Sequence, residues 1–106
     1  MKEANTHERL YRTIAMLTTG YENLHERLPR AYDEGFGTIS AEKIAHVSQD
    51  LAVEFREIKG LLSSRQGQQG ESWAALSCEK MAPDELEKLA ARLDNFFFLF
   101  KNRTET

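Results

Sequence analysis

Leu10-Tyr11-Arg12-Thr13-Ile14-Ala15-Met16-Leu17-Thr18-Thr19-Gly20-Tyr21-Glu22-Asn23-Leu24-His25-Glu26-Arg27-Leu28 places apolar side chains at 10, 14, 17, 21, 24 and 28, in steps of 4, 3, 4, 3 and 4. That alternation keeps one face of an α-helix apolar through almost three heptads, and no strand pattern reproduces it. His7 falls in phase three residues upstream. The spacing predicts a helix from about Ala4 to Leu28, about 37 Å long at 1.5 Å per residue. Gly20 costs such a helix about 1 kcal/mol against alanine, and Thr18 and Thr19 add little preference. Packing of the seam, not propensity, has to hold it together.

Working outward, Pro29 marks a break or kink, and Arg30 to Glu34 reads as a short turn that Gly35 ends in a left-handed conformation. Ser40 is a helix N-cap candidate, with Glu42 in the first turn that follows. Ile44, Val47, Leu51, Phe55, Ile58 and Leu62 form a second stripe, which predicts one uninterrupted helix because no Gly or Pro occurs before Gly60. Residues 63–71, SSRQGQQGE, contain no apolar side chain and read as a flexible polar linker. Ser72 caps a short helix, Trp73 to Met81. Pro83-Asp84-Glu85 opens a last one, whose stripe is Leu86, Leu89, Leu93, Phe96 and Phe100. The expected architecture is all-α: a small antiparallel helical bundle of two long helices, a short helix and a C-terminal helix, forming a single domain over 1–106.

Composition narrows the function classes. The 106 residues carry 14 Lys and Arg against 17 Asp and Glu, a net charge of −3, which argues against phosphate neutralisation as a binding principle. A single Cys forms no internal disulfide, and MKEANTHERL lacks an apolar signal core, so a cytoplasmic setting is expected. The longest wholly apolar run, Phe96 to Phe100, is far short of a membrane span.

Candidate chemistry is sparse. Glu22-x-x-His25 is half of the paired helical motif of bundle di-metal sites, which needs a second copy and two more carboxylates. Glu42 and His46 stand four apart, but His46 lies about 200° round the helix from Ile44, on the solvent side. Cys78 is followed by Glu79 and has no electropositive neighbours to activate it. No phosphate-binding Gly loop, Gly-x-Ser-x-Gly or His-Glu-x-x-His occurs. Neither a metal, a cofactor nor catalysis is expected; a small metal-binding or catalytic bundle is the alternative reading. A DNA-binding regulator is a further alternative. It would need a turn of three or four residues between its helices, whereas the stripe from Ile44 runs on past Asp50, Glu54 and Glu57. His7-Glu8-Arg9-Leu10 recurs as His25-Glu26-Arg27-Leu28, an echo that common amphipathic-helix residues account for.

The surplus is aromatic. Phe96-Phe97-Phe98-Leu99-Phe100 holds four of the six Phe and, at 100° per residue, surrounds the helix. Phe96 and Phe100 belong to the core stripe and Phe97 to its margin, while Phe98 and Leu99 face elsewhere. An all-round apolar helix is a buried helix, so a protein partner or a second copy is expected there, as in a homodimer. The candidate partner-binding residues are Phe97, Phe98, Leu99, Tyr32, Phe36 and Trp73, the last three lying near loops or helix ends.

Leu28-Pro29-x-x-Tyr32-x-x-Gly35, set between two amphipathic helices, resembles the helix junction of the TraM-type quorum-sensing antiactivators. Length and all-helical layout resemble the QslA-like antiactivators. The likeness spans about Tyr21 to Leu62, and the chain departs from the TraM type in its Gln/Gly linker and its added helix from Pro83 to Phe100. What the resemblance implies is a non-enzymatic bacterial inhibitor that binds a LuxR-type transcription regulator and keeps it from acting on DNA. The junction motif itself carries over no contact residue.

Overall fold

Asn23, Ser48 and Ser72 each cap the start of a helix in the computed structural model, which describes residues 2–19, 23–64, 66–68 and 70–104. Regular structure among them is entirely helical: α1 Lys2–Thr19, α2 Leu24–Glu34, a 3-10 turn Phe36–Thr38, α3 Ala41–Val47, α4 Gln49–Leu61, α5 Trp73–Glu79 and α6 Pro83–Thr104.

The long first helix expected from the seam is two helices. Asn23 is extended (φ −74°, ψ 171°), and its side chain accepts from the Glu26 amide, making it the N-cap of α2. Asparagine is among the best N-caps, and that gain opposes continuing a helix through Thr18 and Thr19. Those threonines turn their hydroxyls back onto the carbonyls of Ile14 and Ala15 at 3.0 and 2.6 Å. Arg27, on the returning helix, donates to the Leu17 carbonyl at 2.8 Å, so α2 caps the end of α1. Leu10, Leu17 and Leu28 are buried as the seam predicts, while its Gly20 and Tyr21 lie outside the described residues.

Pro29 interrupts nothing: it sits buried inside α2, which runs on to Glu34. Gly35 is not left-handed (φ −136°, ψ −88°). Its need for glycine comes from α1, because a Cβ there would stand 2.7 Å from the Arg9 carbonyl oxygen and would meet the Thr13 hydroxyl. The chain thus passes against α1 at this point and carries Phe36 inward.

The second expected helix is also divided. Ser48 is extended (φ −159°, ψ 125°) and separates α3 from α4. Its hydroxyl accepts from the Leu51 amide at 3.3 Å and from Arg103 at 2.6 Å. Ser40 occupies the N-cap position of α3, though its side chain makes no capping bond. Ser72 caps α5 through the Ala75 amide at 3.0 Å, and α5 stops at Glu79, short of the expected Met81. α6 begins at Pro83 as predicted, with Glu85 reaching back to accept from the Ala82 amide at 3.0 Å.

The centre of the core is aromatic. Phe36 lies with ring centroids 4.5 Å from Phe55 and 5.5 Å from Phe96, and Phe96 stacks on Phe100 at 6.3 Å. Leu86, Leu89, Leu93, Phe96 and Phe100 of α6 are all buried against this cluster. α4 and α6 run in opposite senses, as Arg92 reaches Glu54 while Arg103 reaches Ser48. No described helix is long and apolar enough to cross a membrane.

Candidate functional site

α6 presents a ridge rather than an all-round apolar surface. Its stripe at Leu86, Leu89, Leu93, Phe96 and Phe100 faces the core, and packing against α1, α2, α3 and α4 covers its flanks. Phe97 and Leu99 are half-buried on the two flanks and pack against the core cluster. Phe98 points away and is 60 % exposed. Its helical neighbours Ala91, Asp94, Asn95, Lys101 and Asn102 are exposed too, so the ring stands on an otherwise mostly polar face. Leu99 is therefore less free than its place on the helical wheel implies, because it is partly buried against the core cluster.

Trp73 is 42 % exposed, on α5, which rests on α2 and does not pack extensively on α6. Tyr32 and Phe36 do not extend any exposed surface. Tyr32 is 9 % exposed and Phe36 is fully buried among Tyr32, Phe55 and Phe96. Phe36 lies near a loop, as expected of a partner-binding candidate, but the close pass of Gly35 along α1 turns it into the middle of the core. Tyr11 at 66 % and Val53 at 54 % are exposed apolar side chains not among the candidates. Tyr11 could have been found, being an aromatic residue off the seam of its own helix.

The chemistry-bearing residues are separated. Among the described residues no three of His, Cys, Asp and Glu gather in a way that could hold a metal ion, and Glu22 lies outside those residues. The ring of His25 donates from Nε2 to the Met81 carbonyl at 3.0 Å, and Nε2 of His7 is 2.6 Å from the Thr104 hydroxyl. The two copies of the His-Glu-Arg-Leu echo thus serve different neighbours. Glu42 and His46 line a cleft of about 260 Å³ with Thr6, Ser40, Lys43, Val47 and Phe100. A second groove, of about 190 Å³, runs between Leu61, Met81 and the start of α6.

Cys78 is buried, and burial, reinforced by the charge of Asp33, pushes its thiol pKa up to about 11. It is therefore a protonated thiol at neutral pH rather than a nucleophile. On α4, the break at Ser48 is one residue, not the turn of a DNA-binding helix pair, and Asp50 and Glu57 are exposed on its surface. Glu54 is held by Arg92 in a two-point pair at 2.7 and 3.0 Å, which Glu57 joins at 3.2 Å. The hydrogen bonds that Arg92 donates to Glu54 head the causes that raise its pKa, so the guanidinium stays charged. Comparison with protein-family models, with curated proteins and with solved structures finds no match to this chain.

Proposed function

We propose that this chain is a small antiparallel helical bundle that binds another protein and inhibits it by occlusion, with no reaction of its own. The class of partner that its resemblance favours is a LuxR-type transcription regulator in the bacterial cytoplasm, and a homodimer is the assembly we expect. The observation that carries the reading is Phe98, a large apolar ring 60 % exposed between half-buried Phe97 and Leu99. Single exposed apolar residues are ordinary on protein surfaces. With Phe97 and Leu99 half-buried on its two flanks and Asp94 and Lys101 exposed beside it, the Phe98 ring has the setting of an apolar anchor with a polar rim. Aromatic anchors of this type carry a large share of binding energy in protein complexes.

Phe98→Glu tests it. Because the ring lies outside the core, the variant is expected to keep the helical circular dichroism of the wild type. Its affinity for a purified LuxR-type regulator is expected to fall at least about 30-fold, the loss of about 2 kcal/mol that defines an interface hot spot. Folded wild-type protein that binds no such regulator would remove the specific partner. An unchanged affinity in Phe98→Glu would remove the α6 ridge. Light scattering of the wild type decides self-association separately.

A further inference from the structure

We propose that α5 is a strap that undocks from α2 as a unit while the rest of the fold stays intact, uncovering Cys78 and the α2 face beneath it. The inference stands independently of any partner for α6.

It begins with what holds α5 down. Between Leu62 and Leu86, both fully buried, the buried described residues are Ala74, Ser77 and Cys78. All three are small, and each covers far less apolar surface than the leucines and phenylalanines of the core. The larger side chains of α5 do not serve this purpose, since Trp73 is exposed and Leu76 half-buried. α5 rests on α2 and makes no extensive contact with any other helix, whereas α6 packs on four.

Two polar contacts pin its ends. The Ser72 hydroxyl donates to Asp33 Oδ2 at 2.6 Å, and the His25 ring donates to the Met81 carbonyl at 3.0 Å. His25, Pro29 and Asp33 recur at every fourth position, so they share the α2 face that carries α5. Both latches lie outside the core and can open without disturbing Phe36, Phe55 or Phe96. A seven-residue helix has too few turns to persist in water once detached, so undocking and melting of α5 are one event. Local openings of this kind belong to segments with few buried apolar contacts.

The test uses the rate at which Cys78, the chain's single cysteine, reacts with an excess of a small aromatic disulfide reagent. The buried thiol reacts after exposure, so the rate reports the open population. We expect measurable labelling in native buffer, nearly independent of denaturant until global unfolding begins. His25→Ala, which removes one latch and leaves Asp33 beside the thiol, is expected to raise the rate about 3- to 10-fold, the range that one hydrogen bond of ordinary net worth supplies. Phe55→Leu weakens the core away from α5 and is expected to leave the native-buffer rate unchanged. A rate that follows the global unfolding curve, or one that rises in Phe55→Leu in proportion to its lost stability, would overturn the strap. So would a His25→Ala rate equal to that of the wild type.

Discussion

Phe36 is the side chain on which the core turns. It touches Tyr32, Phe55 and Phe96 at centroid distances of 6.0, 4.5 and 5.5 Å, joining α2, α4 and α6 through one ring. Phe36→Ala is expected to cost about 3–5 kcal/mol, a large part of the stability of a domain this size, as read by urea denaturation. A cost below about 1 kcal/mol would mean the surroundings collapse into the space. Helical spacing reveals nothing about such a residue, because it lies in a three-residue turn with no period of its own. Its burial depends on where the chain passes α1, and that is decided by Arg9 and Thr13, more than twenty positions away. Phe98 is the converse case. A helical wheel does identify it as off the core, and it is exposed.

At the scale of elements, the stripes foretell which faces are buried and miss where helices end. Leu51, Phe55, Ile58 and Leu62 are buried as spaced, and so are Leu86, Leu89, Leu93, Phe96 and Phe100. A one-residue break at Ser48 leaves the apolar steps on either side unchanged, so periodicity is blind to it. The deciding interactions are a hydroxyl accepting from Leu51 and a guanidinium arriving from Arg103, 55 positions on. The second is invisible before the fold is known. Ser48→Ala removes the cap and leaves Arg103 with one partner fewer. It is expected to destabilise by about 1–2 kcal/mol in a denaturant titration, with helix content nearly unchanged. A neutral effect would show that the break is imposed by packing alone. Asn23 is equally recognisable as a cap type, but the apolar seam continues unbroken on both sides of it, so spacing alone does not reveal the break.

Across the whole molecule, α6 packs on α1, α2, α3 and α4, and the radius of gyration of 13.2 Å matches the roughly 13 Å typical of a folded chain of about 100 residues. Core and periphery are unequal, however. Large aromatic rings bind α4, α6 and the 3-10 turn, whereas α5 is attached through small side chains, with polar contacts pinning its ends. The chain's single tryptophan, Trp73, lies on that lightly held helix. Its fluorescence therefore reports α5, while far-UV circular dichroism reports mainly the other helices. Heating should shift the emission at a lower temperature than it removes the ellipticity, and the two melting curves should not superimpose. A stability taken from fluorescence alone would then describe the detachment of seven residues, not the unfolding of the protein.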